Sequence, residues 1–251
     1  MTCPVRALRS GPGHGGGGRP VLPGPSGPAS NGPTTGRMPA VLLTALVLVT
    51  AVAAALDWWA VATDRQATER WAKPLVMVGL VAVALASGAT QSPGGPALLA
   101  ALALGLVGDV FLLGDSEPRF VGGLAAFLVG HLAYVVAFVQ HALDRPDLAI
   151  AGAALVAVAL LAGRRILPAA IRDGGPGLGA AVALYMAVIA GMALAGWATG
   201  SPLVAAGVSL FVVSDTVLAL GRFVEERPWT GPVVIVTYHL AQALIVAGML
   251  G

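Results

Sequence analysis

Charged side chains are scarce in this sequence of 251 residues. Asp, Glu, Lys and Arg together make up only 10% of it, whereas 57% of the residues are hydrophobic. A soluble domain carries roughly a quarter charged residues. Because so few polar groups cannot cover a surface that faces water, the composition excludes an ordinary soluble globule. Together with a mean hydropathy of +0.85, it predicts an integral membrane protein.

Cysteine is almost absent, since Cys3 is the only one in the chain. A single cysteine excludes a disulfide within the chain and any CxxC metal or redox site. The basic residues are scattered and the net charge is only +2, so there is no Lys/Arg-rich stripe of the kind that binds nucleic acid. We therefore expect membrane lipids as partners, no nucleic acid, and no cofactor. The sequence leaves the oligomeric state open.

The first 38 residues differ from the rest of the chain. The segment "GPGHGGGGRPVLPGPSGPASNGPTTGR" is rich in Gly and Pro and has no hydrophobic period. Such a segment cannot bury enough surface to fold. We predict a disordered tail over residues 1–38 and a transmembrane helical domain over residues 39–251. Met38 directly precedes the first apolar run, which makes it a candidate initiator and the tail a candidate over-long gene start.

The remaining sequence alternates between long apolar runs and short segments with Pro, Gly or charged residues. A membrane-spanning helix needs about 20 mostly apolar residues. The pattern predicts an all-α, polytopic membrane helix bundle of about eight spans, with seven as the alternative because spans two and five are short. The predicted spans cover residues 39–59, 74–90, 96–114, 120–141, 147–163, 178–198, 202–221 and 231–250.

Basic residues mark the odd-numbered loops, which follow spans one, three, five and seven. The even-numbered loops hold only Arg145. Because cytoplasmic loops carry an excess of Lys and Arg, we expect the odd loops to be cytoplasmic and both termini to lie outside the cell membrane. The basic residues on the odd-loop side are Arg65, Arg70, Lys73, Arg119, Arg164, Arg165, Arg172, Arg222 and Arg227.

Two acidic residues lie inside predicted spans. Asp109 stands in "LVGDVFLLG" and Asp215 in "FVVSDTVLALG". At about 1.5 Å per residue, both lie roughly 8–9 Å from the odd-loop ends of spans three and seven. A charged group in the bilayer costs several kcal/mol and is by default a functional candidate. No Lys or Arg lies in the spans at this depth, so a purely structural ion pair does not account for them.

The two segments echo each other. "GDVFLLG" is followed in the next span by "HLAY", which begins at His131, and "SDTVLALG" is followed by "HLAQ", which begins at His239. This order predicts a duplicated four-helix unit, 4+4, of the parallel kind known in membrane proteins, although an Ala/Val/Leu-rich chain also produces chance matches. The histidines lie in the same layer as the aspartates and are candidates to tune them.

Other polar side chains share helix faces with these histidines. His131 and Tyr134 are three residues apart on span four, and Tyr238 and Gln242 are four apart on span eight, so each pair lies on one face. The ordinary alternative is that these side chains are hydrogen-bonded core or interface groups without a catalytic role.

Two further polar residues, Ser214 and Asp57, are expected to have structural and not catalytic roles. Ser214 points about 100° away from Asp215 and is expected to bond the backbone or a neighbouring helix. Asp57, at the end of span one, is expected at the membrane rim, either in solvent or paired with Lys73 at the start of span two.

Two carboxyl groups in an apolar medium are suited to acid–base chemistry. Burial favours the protonated form of a carboxyl group, and two that share a site divide into one acid and one base. Such a pair can protonate a substrate and steady the cation, as in glycoside hydrolysis through an oxocarbenium ion. A vinyl ether reacts in the same way. Protonation of its outer carbon gives an oxocarbenium ion, water adds, and the hemiacetal yields an aldehyde and an alcohol.

An ordered set of segments resembles one known family. These segments are "KPLVMVGL", "GLVGDVFLL", "FVGGLAAFLVGHLAYVVAF", "ALYMAVIAGMAL", "FVVSDTVLAL" and "VTYHLAQALIVAG", spread over residues 73–250. They are similar to the YhhN/TMEM86 lysoplasmalogenase family. The resemblance implies eight spans and hydrolysis of the vinyl ether bond of lysoplasmalogens, a class of lysophospholipid, to a fatty aldehyde and a glycerophospho-base.

The resemblance also implies which residues form the site. Asp109 and Asp215 fall on the suspected catalytic pair, one to protonate the alkene and the other to steady the cation or activate water. Lys73 is a candidate to meet the lipid phosphate. The family's polar positions correspond here to Lys73, Asp109, His131, Tyr134, Tyr185, Ser214, Asp215, Tyr238 and Gln242.

Four other functions remain open from the sequence. A proton-coupled transporter with an Asp/His relay is the main alternative, and it would use broken helices, for which the pairs Gly105/Gly108 and Gly122/Gly123 are candidates. An intramembrane aspartyl protease also uses two aspartates, but Val107 stands where its Gly-x-Gly-Asp motif needs glycine. A metal site of Asp109, Asp215 and the two histidines is chemically possible. A purely structural membrane protein is the fourth.

Overall fold

The fold is a bundle of helices, as the sequence predicts. The computed structural model describes residues 38–114 and 116–251, and it contains no β-strand in these ranges. The disorder predicted for the tail concerns residues that, except for Met38, lie outside the described part of the chain. The helices are α1 (Ala40–Ala62), α2 (Gln66–Ala86), α3 (Gly95–Leu112), α4 (Glu117–His141), α5 (Ala149–Ala198), α6 (Pro202–Phe223) and α7 (Thr230–Leu250).

Helix α5 consists of two helical segments joined by a sharp kink. Gly174 and Gly175 have non-helical backbone angles, and Gly175 has a φ of +73° that favours glycine. Pro176 follows and has no backbone N–H to continue the hydrogen-bonded ladder. With residues 149–173 and 176–198 counted separately, the described chain has eight α-helical segments, besides a single 3₁₀ turn at Pro146–Leu148, and this number matches the predicted count of about eight. The kink faces the same side of the bundle as the α1–α2, α3–α4 and α6–α7 connections, and we call this side the odd-loop face.

Two helices extend further than the apolar runs suggest. The first segment of α5 continues to residue 173, so Arg164 and Arg165 are exposed residues of a helix and not of a loop. Helix α2 begins at Gln66, eight residues before the predicted span, and its first turns carry Glu69 and Lys73. The apolar run marks only the part of a helix that lies in the hydrocarbon core of the membrane. The helical conformation continues beyond it until a residue such as Gly or Pro interrupts it.

The described helices have the length and composition of membrane spans. Six of them, all except α2, are long and apolar enough to cross a bilayer, with the two segments of α5 counted as one. Large hydrophobic side chains on the outer faces, such as Val41, Leu48, Ile150, Val158 and Leu161, are more than half exposed. In a membrane these faces contact lipid chains, so the chain is a multi-pass membrane protein.

Glycines let neighbouring helices approach closely. In the α3–α4 hairpin, a Cβ on Gly108 would lie 2.6 Å from the Phe127 ring, and in the α6–α7 hairpin a Cβ on Gly207 would lie 2.9 Å from the carbonyl oxygen of Ala241. Helices α3 and α4 run without interruption through Gly105/Gly108 and Gly122/Gly123. These glycine pairs therefore allow close packing of the helices. They do not provide the helix breaks that the transporter alternative would use.

The bundle closes on itself, because each helix packs against the next and α7 also packs against α1, α2 and α3. The core between them contains large, fully buried side chains, among them Met77, Leu102, Tyr134, Phe138 and Phe211. Polar residues near this core are therefore held by a rigid apolar frame.

Candidate active site

The two intramembrane aspartates line one cavity. This cavity, which we call the polar cavity, has a volume of about 450 Å³ and contains Asp109 and Asp215 in its wall. Its lining comes from the ends of α1, α3 and α6 and the beginnings of α2, α4 and α7. All of these ends adjoin the odd-loop face. The sequence places both aspartates in one layer near that face, and the cavity agrees with this placement.

Asp109 is buried in α3 and bonded to a tyrosine of α7. Its side chain is only 4% exposed, and its Oδ2 accepts a hydrogen bond of 2.9 Å from the hydroxyl of Tyr238. One turn earlier in α3, a Cβ on Gly105 would lie 3.1 Å from the Tyr238 hydroxyl and 3.1 Å from Nε2 of Gln242. Glycine at this position therefore gives Tyr238 the room to reach Asp109.

Asp215 is more open than Asp109 and has different neighbours. Its Oδ2 accepts a hydrogen bond of 2.6 Å from the hydroxyl of Tyr185 in the second segment of α5. Nε2 of His131 lies 3.8 Å from the same oxygen, beyond hydrogen-bond length. The His131 ring stands edge-on between Tyr185 and Phe211, with centroid distances of 5.3 and 5.1 Å. His131 is thus fixed by aromatic packing beside Asp215.

The two aspartates do not share their hydrogen-bond partners. Asp109 of the α3–α4 hairpin bonds Tyr238 of the α6–α7 hairpin, whereas Asp215 of the second hairpin lies next to His131 of the first. The contacts therefore cross between the two hairpins. The cavity between the two carboxyl groups is large enough to hold a substrate head group and water.

Five further predicted site residues divide into two groups. Lys73, Ser214 and Tyr238 line the polar cavity together with the aspartates. Tyr134 and Gln242 lie behind it, fully buried and hydrogen-bonded to each other. The Ser214 hydroxyl donates to the backbone carbonyl of Val234 in α7 at 3.1 Å, a bond to a neighbouring helix of the kind expected from its direction.

His239 is not part of the polar cavity. It lies on the opposite face of α7, where it lines a separate apolar cavity of about 690 Å³ between α1, α2 and α7. Its Nδ1 accepts a hydrogen bond of 3.1 Å from Nε1 of Trp58. The alternative metal site of Asp109, Asp215 and the two histidines is not found either, because the described residues contain no group of three or more His, Cys, Asp or Glu side chains placed to hold an ion.

Asp57 is the main residue that the sequence analysis placed wrongly. Helix α1 continues to Ala62, so Asp57 lies within the bundle and is completely buried. Neither of its carboxylate oxygens has a hydrogen-bond partner among the described residues, and Oδ2 is 4.0 Å from Nδ1 of His239. The Lys73 ammonium bonds Glu69, four residues earlier in α2, at 2.5 Å and does not form the expected pair with Asp57.

Arg222 is a cavity residue that the sequence analysis counted only as a loop charge. It lines the polar cavity, and its Nη1 is 3.1 Å from Oδ2 of Asp173. Arg222 follows Asp215 by seven residues, which is about two helical turns. This spacing puts both side chains on one face of α6 and could have identified Arg222. Lys73 and Arg222 are the two cationic side chains in the lining of the cavity.

A narrow apolar cavity adjoins the polar one at Asp215. This cavity, which we call the apolar slot, lies between α4, both segments of α5, and α6. Asp215, Phe120 and Arg222 line both spaces, whereas Asp109 and Lys73 line only the polar cavity. The rest of the slot is lined mainly by aliphatic side chains, including Leu124, Val156, Ile166, Val182, Met186 and Ile189.

Comparison with known proteins identifies relatives of the chain. The sequence profile of the YhhN family matches residues 68–249. Human lysoplasmalogenase TMEM86A is 30% identical over 168 residues, which cover 61% of this chain and 65% of the relative. Human lysoplasmalogenase TMEM86B is 33% identical over 148 residues, covering 59% of this chain and 61% of the relative. Pig lysoplasmalogenase TMEM86B is 35% identical over the same shares. The chain thus spans less than two thirds of the length of these relatives, and no solved structure matches it.

Proposed function

Because this chain belongs to the YhhN family, we propose that it is an integral-membrane hydrolase of the lysoplasmalogenase type. It cleaves the vinyl ether bond of a lysoplasmalogen-like lysophospholipid and releases a fatty aldehyde and a glycerophospho-base. The observation that carries the proposal is the pair Asp109 and Asp215, which line one cavity inside an apolar bundle. The relatives named lysoplasmalogenase give further support.

Asp215 is the better placed of the two carboxyl groups to act as the acid. It lies where the polar cavity meets the apolar slot, and a vinyl ether lies between the polar head group and the hydrocarbon chain of such a lipid. Its Oδ2 accepts from Tyr185, which leaves Oδ1 to carry a proton. Transfer of this proton to the outer alkene carbon leaves the Asp215 carboxylate beside the new oxocarbenium ion, which it stabilises.

Asp109 then acts as the base toward water. As a carboxylate it accepts a proton from the water molecule that attacks the carbon bonded to oxygen. When the hemiacetal breaks down, protonated Asp109 gives its proton to the glycerol oxygen as the C–O bond breaks, and the hemiacetal hydroxyl gives its proton to the Asp215 carboxylate, so both groups regain their starting forms. The products are the aldehyde and the alcohol. Tyr238 holds Asp109 in place through its hydrogen bond of 2.9 Å.

Lys73 and Arg222 supply the positive charge for the lipid phosphate, which takes the place of their present carboxylate partners, Glu69 and Asp173. Both line the polar cavity near the odd-loop face, which is where the head group of a bilayer lipid lies. Arg222 can bind a phosphate through two parallel N–H donors, and Lys73 acts as a point charge. The excess of Lys and Arg on this face favours a cytoplasmic orientation by the usual rule for membrane proteins, and we propose that the cavity takes its substrate from the cytoplasmic leaflet.

Aldehyde release by the purified protein tests the proposal. We expect hydrolysis of a lysoplasmenyl lipid, and a loss of about 10²-fold or more in kcat for Asp215→Asn and for Asp109→Asn. Both changes keep the shape of the side chain. The matched control is Asp147→Asn, because Asp147 is an exposed residue paired with Arg145 at 2.7 Å on the other side of the bundle. Full activity in both cavity variants, or no aldehyde from the unchanged protein, would refute the proposal.

A further inference from the structure

The apolar slot extends from Asp215 toward the middle of the bilayer. Asp215 lies eight residues before the end of α6, roughly 12 Å from the odd-loop face. Two alanines of the slot lie deeper: Ala159 is 14 residues before Asp173, and Ala190 is 14 residues after Pro176. At the helical rise, both are roughly 21 Å from that face. The slot therefore runs inward over about the length of several methylene groups.

The inner part of the slot is also open to lipid. Leu160, next to Ala159 in the first segment of α5, lines the slot and is 53% exposed on the outer surface of the bundle. The residues that adjoin Asp215 at the outer part of the slot include Tyr185 and Thr216, whereas the deeper residues are aliphatic. A hydrocarbon chain can thus enter sideways from the bilayer and keep its apolar surroundings along its whole length.

We propose that this slot, with a volume of about 80 Å³, binds the first several carbons of the substrate's alkenyl chain, and that the small side chains of Ala159 and Ala190 keep its inner part open so that a longer chain continues into the bilayer. The assignment rests on the proposed function, since it needs the vinyl ether to lie at Asp215. With the phosphate at Lys73 and Arg222, the head group occupies the polar cavity and the first chain carbons pass Asp215 into the slot. The junction of the two spaces thereby fixes which carbon atom meets the acid.

The larger apolar cavity between α1, α2 and α7 is the competing place for the chain. It has a volume of about 690 Å³, but its lining contains neither aspartate. Its polar residues are Thr50, Ser87, Trp58 and His239, and it contains no Lys or Arg for a phosphate. A chain bound there would leave the vinyl ether away from both carboxyl groups, so the chemistry favours the slot.

Chain-length selectivity tests the assignment. Ala190→Phe fills the inner slot, and Ala243→Phe makes the same change in the competing cavity and serves as the matched control. For Ala190→Phe we expect kcat/KM to fall at least about tenfold for a lysoplasmenyl lipid with a chain of about 16 carbons, because the added ring blocks the path of the longer chain and displaces its vinyl ether from Asp215. The value for a chain of about six carbons should stay within about twofold.

Three outcomes would overturn the assignment: no change with either chain, an equal loss with both chains, or chain-length selectivity that moves with Ala243→Phe instead. Ala159→Phe repeats the test from the other wall of the slot if Ala190→Phe does not fold. The short chain serves as an internal measure of folding in each variant, because it does not reach the filled part.

A binding measurement separates the failure of this assignment from the failure of the proposed function. The probe is a non-hydrolysable alkyl ether lysophospholipid with a chain of about 16 carbons, read out as the shift in thermal unfolding midpoint that a bound ligand causes. If the unchanged protein releases no aldehyde, the enzyme proposal is refuted, and the slot is still tested by this probe. Equal binding by Ala190→Phe and the unchanged protein refutes the slot.

Discussion

The hydroxyl of Tyr134 in α4 donates a hydrogen bond to the side-chain oxygen of Gln242 in α7. The two residues occupy the same place in the echoing segments "HLAY" and "HLAQ". In two repeats related by a two-fold axis along the membrane normal, equivalent positions near the axis meet each other. The contact is the one that a duplicated four-helix unit would give. The surroundings of the two aspartates do not repeat in this way, because Asp215 lies next to His131 whereas Asp109 bonds Tyr238 and not His239, the counterpart of His131.

We predict that loss of the Tyr134 hydroxyl destabilises the bundle. Both residues are buried, so Tyr134→Phe leaves a buried amide oxygen of Gln242 with one partner fewer, at a cost of about 1–3 kcal/mol. The double variant Tyr134→Phe/Gln242→Leu removes both partners and should recover part of this loss. Thermal unfolding of the four proteins as a double-mutant cycle measures the coupling. Strictly additive effects would show that the hydrogen bond contributes nothing.

We predict that Gly105→Ala impairs activity more than stability. A Cβ at this position would lie 3.1 Å from the hydroxyl of Tyr238, so Tyr238 must give way by a few tenths of an ångström and its hydrogen bond to Asp109 is disturbed. Since a misplacement of 1 Å costs about 10²-fold in rate, we expect a loss of about threefold to tenfold. The matched control is Gly191→Ala in α5, where nothing lies within 4 Å of the added carbon. That change should stabilise the helix by up to about 1 kcal/mol. Unfolding midpoints and aldehyde release distinguish the two effects, and an unimpaired Gly105→Ala enzyme would show that Tyr238 is not critical.

The sequence predicts the helices well because apolar runs and breaker residues are both visible in it. Gly174, Gly175 and Pro176 end the first segment of α5 as their backbone preferences dictate. The early start of α2 is harder to predict, because the charged residues Glu69 and Lys73 look like a loop. In the structure they bond each other along one helix face, which removes much of the cost of placing them in a helix near the membrane.

The site is predicted in part, for a physical reason. An aspartate inside an apolar run can be recognised without knowledge of the fold, so Asp109 and Asp215 are identified from the sequence alone. Which face of α1 or α7 turns toward the cavity depends on how the helices pack. This rotation buries Asp57, which a loop position would leave in solvent, and turns His239 away from the aspartates. For residues at the same depth in the membrane, only the packing of the helices shows which ones face the cavity.

We predict that Arg222 contributes to recognition of the phosphate. Arg222→Met keeps much of the side-chain length but removes the charge from the polar cavity. We expect KM for a lysoplasmenyl phospholipid to rise about tenfold or more, since a charge-assisted contact contributes about 1.5–3 kcal/mol. KM for an alkenylglycerol without phosphate should not change. Arg227→Met is the control, because Arg227 is more than half exposed and paired with Glu225 at 2.8 Å. An equal rise for both substrates would assign Arg222 a structural role instead.

We predict that Asp57 lowers the stability of the bundle. It is fully buried, and neither carboxylate oxygen has a hydrogen-bond partner among the described residues. A buried polar group without such a partner costs about 1–3 kcal/mol by mutational measures. Asp57→Leu should therefore raise the thermal unfolding midpoint by about 2–12 °C, since 1 kcal/mol corresponds to about 2–4 °C at this chain length.

The same change should reduce aldehyde release. Asp57 lies one helical turn before Val61, which lines the polar cavity, so its replacement alters the polarity and packing of α1 beside this cavity. Stability that rises while activity falls is the usual result at a position kept for function. Asp144→Leu is the control, because Asp144 is exposed, and its unfolding midpoint should stay within about 1–2 °C of the unchanged protein. A lower midpoint for Asp57→Leu would mean that the carboxyl group stabilises the fold, and its burial would then need no functional explanation.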